Sequence, residues 1–359
     1  MRSATRILFT GYAPVHFLCF QPIYDHLRRR SDFEVHLSGG IRSKASSGGF
    51  SYDGEAMYGT FDIEPGAVKP VETIAQEEYD LLFSANTKMI LPRTVTTKVQ
   101  IFHGISFRNK AVREENANAD FYFLVGPYMR RRFAERGMLD DADPRALSIG
   151  FPKTDRLVNG TLCRDTLLAD YGLSGDRPIL LYAPTGQRGN SLETMGESVI
   201  QRIAASDNFD LLVKLHDHGK GTASWKERLT RLEGPRTRLV EELDVIPLLF
   251  VADLLITDAS SVANEYALLD RPIVFLDVPE LIGAAMADGS AVDLETWGRK
   301  GGVLVETPDD VVDAVSRSLE HPHWGSDIRR NSVADLFYNP GHATEAAVDW
   351  IYQHHGTHA

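Results

Sequence analysis

The stretch that decides the fold is "ADLLITDASSVANEYALLDRPIVF", residues 252–275. An apolar run gives way at Thr257 and Asp258 to two serines, then to a helix-like segment from Val262 and a second apolar run. Apolar runs of four to six residues without alternation are typical of strands covered on both faces. The stretch therefore predicts a buried strand, a helix and a second buried strand.

The same alternation runs through most of the chain. The predicted strands are Arg6–Thr10, Glu34–Ser38, Leu81–Ser84, Val99–Phe102, Phe121–Val125, Ile179–Ala183, Leu211–Lys214, Leu254–Thr257, Ile273–Leu276 and Val303–Val305. Helical patterns lie between them, at Phe20–Arg30, Gly126–Gly137, Leu192–Ser206, Val262–Leu269 and Pro308–Leu319. This order predicts an α/β protein whose parallel sheets are connected by crossover helices.

A hinge-like segment divides the pattern. Residues 143–161 carry Pro144, Gly150, Pro152 and Gly160 between two predicted strands. We expect two doubly wound, Rossmann-like domains, residues 1–155 and 156–336, with a cleft between them. The amphipathic segment in 337–359 is expected to be a helix that crosses back to the first domain.

Composition narrows the class of function. The 359 residues are 43% hydrophobic and carry a formal net charge of −12, which argues against a general nucleic-acid binder. Two distant cysteines indicate a reducing compartment rather than a disulfide framework. The basic start "MRSATRILFTG" predicts a first strand rather than a signal peptide, and no run has the length of a membrane span. We expect a cytoplasmic protein and leave open a peripheral association with the inner face of the membrane.

In open α/β sheets, ligands bind at the carboxyl ends of the strands. After the strand that ends at Thr257, Ser260 or Ser261 is placed to cap a helix whose amide groups and dipole favour phosphate. Asp258 would repel phosphate, so it is expected to orient a neighbour or to bind a ligand hydroxyl. An ordinary helix cap is the alternative.

Histidines follow other predicted strands. His103 comes directly after "VQIF" and before Gly104, which suits a general base with a pKa near neutrality; a packed histidine is the alternative. The segment after the first predicted strand contains Gly11, Tyr12 and His16. These residues are expected either to line the ligand-binding cleft or only to pack within the domain.

Two further strand ends carry anion-binding groups. Lys214, His216 and His218 lie on one side of an extended chain, where Lys214 and His216 suit an anion better than a metal. Thr185 and Arg188 lie in a loop of small residues that can offer amides, a hydroxyl and a guanidinium to phosphate. No metal site is expected.

Taken together, "FHGISF", "GFPKTDRL", "LLYAPTG", "VKLH" and "ADLLITDASSVANEYALLDRPIVF" resemble the CDP-glycerol glycerophosphotransferase family, the teichoic acid primases and polymerases. The blocks fit a GT-B arrangement across about residues 95–280. The resemblance implies transfer of a polyol phosphate from a CDP-linked donor to an acceptor hydroxyl in cell-surface polymer assembly, with release of CMP and no tightly bound cofactor.

By position, the resemblance implies that His103 is the base on the acceptor hydroxyl and that His216 lies near the donor phosphates. Thr257, Ser260 and Ser261 match the segment that holds the diphosphate. The first domain would then serve the acceptor, of polyol or saccharide type, and the second the nucleotide donor; a lipid-linked acceptor is left open.

Two departures touch substrate contacts. After histidine-glycine the family has threonine-proline-leucine-lysine, but this chain reads "HGISFRNK", where Arg108 or Lys110 would substitute for the lysine. The family's arginine-x-histidine-proline is "KLHD" here, with Lys214 in place of the arginine and Asp217 in place of the proline. A nucleotide-sugar glycosyltransferase, a sugar-nucleotide 2-epimerase and a non-catalytic binding protein are the alternative functions.

Overall fold

A computed structural model describes residues 4–44, 48–86, 88–104, 112, 118–216, 222–287 and 299–356. The chain divides into two compact units. The first unit takes its described residues from within 4–104, 112–155 and 337–356, and the second unit takes them from within 156–336. Each unit is built on its own parallel sheet.

The first unit contains a seven-stranded parallel sheet and an antiparallel pair. Its strands are β1 (Thr5–Gly11), β2 (Phe33–Gly39), β3 (Ile41–Lys44), β4 (Phe50–Asp53), β5 (Val68–Lys69), β6 (Glu78–Ser84), β7 (Thr94–Gln100), β8 (Phe121–Leu124) and β9 (Ala146–Ser148). The order in the parallel sheet is β5-β2-β1-β6-β7-β8-β9. Because all seven strands run the same way, Gly11, Gly39, Ser84 and Gln100 end at one edge of the sheet.

Helices of the first unit follow these strands: α1 (Pro14–Leu27), α2 (Gly54–Tyr58), α3 (Val71–Ile74) and α4 (Pro127–Glu135), with a 3-10 turn at Pro152–Thr154. The sheet is covered by aromatic packing, because Phe9 on β1 stacks on Phe20 of α1 at 4.9 Å and on Phe83 of β6 at 4.8 Å between ring centroids. This packing buries α1 against the centre of the sheet.

The second unit contains a six-stranded parallel sheet. Its described helices are α5 (Asp155–Val158), α6 (Arg164–Asp170), α7 (Glu197–Ser206), α8 (Thr222–Thr230), α9 (Ile246–Val251), α10 (Val262–Ala267), α11 (Pro279–Ala287), α12 (Val311–Glu320) and α13 (Ser326–Leu336). Helix α5 begins at the boundary between the two units. A π-helical turn lies at Leu192–Gly196, and 3-10 turns lie at Arg299–Gly301 and Pro308–Asp310. Its strands are β10 (Ile179–Tyr182), β11 (Asp210–Lys214), β12 (Thr237–Val240), β13 (Leu254–Thr257), β14 (Ile273–Leu276) and β15 (Val303–Val305), in the order β12-β11-β10-β13-β14-β15.

Strand β13 occupies the interior of this sheet, with all four residues buried. Two apolar clusters cover the sheet, one that includes Leu254 and Ile256 and another that includes Leu255. The opening stretch of sequence therefore forms the strand, helix and parallel strand that its pattern predicts.

The last helix, α14 (Ala343–His355), belongs to the first unit. The Asp155 carboxylate accepts hydrogen bonds from the amides of Ala343 (3.1 Å) and Thr344 (2.7 Å) and from the Thr344 hydroxyl (2.6 Å), which caps the start of the helix. Farther along, Trp350 packs edge-on against Phe121 and Phe123. The C-terminal segment therefore completes the core of the first unit.

The sequence prediction misplaces the ends of many elements and misses five short strands. Helix α1 begins at Pro14 rather than at Phe20, because a proline at the first helical position is preorganised for the turn. Strand β7 ends at Gln100 rather than at Phe102. The short strands β3, β4, β5, β9 and β12 were not predicted, since all are brief and two of them form a polar hairpin.

Candidate functional site

His103 lies three residues beyond the end of β7, in the segment that leaves the sheet edge. Gln100 fixes the start of this segment, because its side-chain amide donates to the carbonyls of Ser84 (2.9 Å) and Ile101 (2.6 Å). Gly104 follows with φ of +130°, a conformation that residues with a Cβ rarely adopt. The turn at "HG" is thus set by a buried glutamine and by a glycine.

The tautomer of neutral His103 follows from its hydrogen bond. Its Nδ1 lies 3.1 Å from the Ala85 carbonyl oxygen, which can only accept, so Nδ1 carries the hydrogen. The Nε2 lone pair of the neutral ring is therefore left to accept a proton. This is the arrangement that a general base requires.

The surroundings of His103 keep it neutral. His103 is exposed to solvent on one side, but the protein packed around its ring lowers its pKa by desolvation. The hydrogen bond to Ala85 opposes this shift, and the positive charge of Lys153 adds to it. Lys153 is buried in the 3-10 turn at Pro152–Thr154. At neutral pH the imidazole is consequently the unprotonated, basic form.

His16 lies next to His103. Their ring centroids are 5.2 Å apart, and His16 is buried in the first turn of α1. The Tyr12 amide donates to His16 Nδ1 at 3.1 Å, so the hydrogen of the neutral His16 ring is on Nε2. A Cβ added at Gly11 would lie 2.8 Å from the His16 Cβ, so the close approach of α1 requires glycine there.

The structure thus brings Gly11, Tyr12, His16, His103 and Gly104 to one edge of the first sheet. Lys153 was not among the predicted site residues, although its motif "GFPKTDRL" was recognised. Its burial and its electrostatic effect on His103 depend on tertiary contacts that the sequence pattern does not contain.

In the second unit, Asp258 organises the loop after β10. Its carboxylate accepts hydrogen bonds from the amides of Thr185 (2.8 Å), Ser191 (2.9 Å) and Ala259 (2.6 Å) and from the Ser191 hydroxyl (2.8 Å). Burial raises the pKa of Asp258, and these hydrogen bonds oppose the shift. Asp258 therefore binds neighbouring groups of the protein, one of the two roles expected for it.

Thr257 also bonds within the fold. Its hydroxyl donates to the Ala183 carbonyl at 2.7 Å, and the residue is fully buried. Ser260 Oγ accepts from the Val262 amide at 3.4 Å, a long bond, whereas Ser261 is the N-cap residue of α10 and makes no side-chain cap bond. The two serine hydroxyls are thus only weakly engaged by the helix that they precede.

His216 packs against the loop that Asp258 organises. A Cβ built on Gly186 would lie 2.7 Å from both Cγ and Nδ1 of His216, so glycine at 186 makes room for this ring. His216 and Arg188 are both exposed. The two side chains predicted to contact the donor therefore lie at the same edge of the second sheet. Arg188 is in the loop after β10, and His216 is two residues beyond the end of β11.

Lys214, the last residue of β11, is buried. Its ammonium donates to the Leu215 carbonyl at 2.9 Å. Burial raises the pKa of Glu242, and the charge of Lys214 opposes this shift. Arg108, Lys110 and His218 lie outside the described residues. Within the described ranges, no group of three His, Cys, Asp or Glu side chains is arranged to hold a metal ion, and no helix there has both the length and the apolar character to cross a membrane.

A curated relative matches part of the chain in sequence. The teichoic acid glycerol-phosphate primase of Bacillus spizizenii is 34% identical over 161 residues, which are 44% of this chain and 37% of that protein. The match therefore spans little more than a third of that relative's length.

Solved structures show the fold. The wall teichoic acid polymerase TagF matches with a TM-score of 0.68 at 16% identity, over 98% of this chain and 89% of that one. A UDP-N-acetylglucosamine 2-epimerase matches with a TM-score of 0.59 at 12% identity, over 100% and 98%. The predicted GT-B-like α/β class is thereby confirmed.

A family model gives the assignment. Residues 63–353 match the model described as CDP-Glycerol:Poly(glycerophosphate) glycerophosphotransferase. This range includes His103, "GFPKTDRL", His216 and the whole of the opening stretch, so it covers the motifs on which the resemblance rests. The chain belongs to the CDP-glycerol:poly(glycerophosphate) glycerophosphotransferase family.

Proposed function

We propose that the protein transfers a glycerol phosphate-like polyol phosphate from a CDP-activated donor to an acceptor hydroxyl and releases CMP, in the assembly of a teichoic acid-like polymer. Family membership supports the donor class and the reaction type. The observation that carries the proposal is the state of His103, a neutral imidazole whose Nδ1 is bonded to Ala85 and whose Nε2 is left as a base.

The bond changes are those of a displacement at phosphorus. The acceptor oxygen attacks the phosphorus that bears the polyol, and the bond from this phosphorus to the bridging oxygen breaks. CMP leaves with the bridging oxygen, while the acceptor proton passes to His103 Nε2. A positioned base of this kind contributes about 10²- to 10⁴-fold in rate.

The first unit serves the acceptor in this proposal. His16 packs beside His103, and Tyr12 packs on the other side against His16. Gly11 leaves room for His16, and Gly104 allows the turn after His103. Lys153 keeps a positive charge near the base, which favours the neutral imidazole.

The second unit holds the donor. Charge that builds on the phosphoryl oxygens needs preorganised donors and cations more than covalent chemistry. Arg188, Lys214, His216 and the hydroxyls of Ser260 and Ser261 are the groups assigned to this task. Thr257 and Asp258 act by positioning, because their side chains are bonded within the fold. The backbone amide and carbonyl of Thr185 are bonded there too, which holds its place in the loop.

The test is product analysis with CDP-glycerol and a polyol phosphate acceptor. We expect CMP to appear in equal amount to the extended acceptor, with no metal added, and turnover to fall at least 100-fold in His103→Ala with donor affinity within twofold. Release of a nucleoside diphosphate from a nucleotide sugar would instead identify a glycosyltransferase. Interconversion of nucleotide sugars without an acceptor would identify an epimerase.

A further inference from the structure

The hairpin of β3 and β4 carries all its large cationic and aromatic side chains on one face. In the antiparallel register, Arg42 is opposite Tyr52 and Lys44 is opposite Phe50. The other face carries Ile41 opposite Asp53 and Ser43 opposite Ser51, whose hydroxyls lie 2.7 Å apart across the strands. Alternation thus places the two cations and the two aromatic rings of the hairpin together on one face.

Arg42 lies between two aromatic rings on this face. Its guanidinium carbon is 4.1 Å from the ring centroid of Tyr12 and 4.5 Å from that of Phe50. Contacts of this kind orient the planar cation through its faces and leave the N–H groups at its edges. Arg42 is exposed, and the described part of the chain offers it neither a hydrogen-bond acceptor nor a carboxylate.

The stack leads to the proposed base. Tyr12, which carries Arg42 on its ring, also packs edge-on against His16 at 4.6 Å, and His16 lies 5.2 Å from His103. The stack and the two histidines all belong to the first unit. A group bound to the edge of Arg42 would therefore lie in the same cluster of rings as the proposed base, with Tyr12 and His16 between Arg42 and His103.

We propose that Arg42 is a specificity-determining residue that binds a phosphate group of the acceptor, with Phe50 and Tyr12 holding the guanidinium in place. A fork of N–H donors matches phosphate oxygens, and a chain with net charge −12 needs local cations to admit a polyanionic acceptor. The inference rests on the proposed function, because it assigns the phosphate to the acceptor rather than to the donor.

The experiment measures binding and turnover separately. Isothermal titration of a short glycerol phosphate oligomer, of uncharged diglycerol and of CDP-glycerol is carried out on the full chain and on Arg42→Ala, Arg42→Lys and Phe50→Leu. Arg29→Ala is the matched control, because Arg29 is an exposed arginine beyond the far end of α1. Transfer to the same oligomer is then assayed with each variant.

We expect Arg42→Ala to weaken oligomer binding by about 10- to 100-fold, the usual loss for charge-assisted hydrogen bonds to phosphate. Arg42→Lys should lose part of that affinity and Phe50→Leu about two- to fivefold, as expected for one cation–π contact. The affinity for CDP-glycerol should not change in any of them, and Arg29→Ala should behave as the unaltered protein.

Equal oligomer affinity in Arg42→Ala and Arg29→Ala would overturn the inference, as would failure of the unaltered protein to bind the oligomer. A loss confined to CDP-glycerol would assign Arg42 to the donor and overturn it too. Binding that depends on Arg42 without any transfer of glycerol phosphate would uphold the subsite and refute the proposed function.

Discussion

Replacement of Asp258 by alanine tests whether one buried carboxylate holds the loop at residues 183–191, the donor loop of the proposed function. The side chain is 1% exposed and accepts four hydrogen bonds, three from backbone amides and one from the Ser191 hydroxyl. Loss of the carboxylate leaves those donors buried without a partner, at about 1–3 kcal/mol for each group that water cannot reach. Allowing for relaxation of the loop, we expect the free energy of unfolding to fall by about 3–5 kcal/mol.

Asp253 provides a matched control at the opposite end of the same strand. Its carboxylate accepts from Arg164 and from the Ile179 amide at 2.9 Å, and its side chain is 32% exposed. Asp253→Ala should therefore cost only about 1–2 kcal/mol, since water can replace part of what is lost. It should leave the loop that carries Gly186 and Arg188 unchanged.

Urea unfolding followed by circular dichroism gives the free energies, and titration with CDP-glycerol gives the donor affinity. We expect Asp258→Ala to lose both stability and at least tenfold in affinity at a temperature where it remains folded, and Asp253→Ala to lose stability alone. Equal donor affinity in the two variants would refute the claim that Asp258 positions the donor loop.

Three other substitutions test separate parts of the structure. In Gly186→Ala the new methyl group should press against the His216 ring, so turnover should fall about tenfold or more with little change in the urea midpoint. Unchanged turnover would mean that His216 can move without consequence. Arg329→Met should lower the free energy of unfolding by about 3–5 kcal/mol, because Arg329 is 1% exposed and donates to five carbonyl or carboxylate oxygens. The control Arg330→Ala, at an exposed neighbour, should change the free energy of unfolding by no more than about 0.5 kcal/mol. Similar urea midpoints for these two variants would contradict the prediction. Asp155→Ala should cost about 1–2 kcal/mol and speed hydrogen exchange at the start of α14, and unchanged exchange there would show that the cap is dispensable.

The two sheets were predictable because their strands are short and continuously apolar. Strands β13, β14 and β15 have the predicted bounds, since each is an apolar run ended by polar or small residues. The β3–β4 hairpin was not predicted, because its serines, lysine and arginine give no apolar signal and its pairing depends on the register across a turn.

The candidate site was predictable in residue type and less so in role. The positions of His103 and His216 after strands follow from the alternation of apolar runs. The bonds that fix their surroundings join distant residues, as when Asp258 accepts from Thr185 across 73 positions. Arg42 and Lys153 were missed for the same reason, because their partners are set by packing rather than by local pattern.

The pH dependence of kcat/KM for transfer from CDP-glycerol tests the central claim that His103 is the base. A histidine whose pKa is lowered binds its proton less tightly than a free one, so activity should persist as the pH falls through 6.5 and decline only at a lower pH. In His103→Gln the remaining rate should be at least 100-fold lower and should lack this acid limb. An acid limb centred above 6.5, or one retained in His103→Gln with turnover within tenfold of the unaltered protein, would contradict the account.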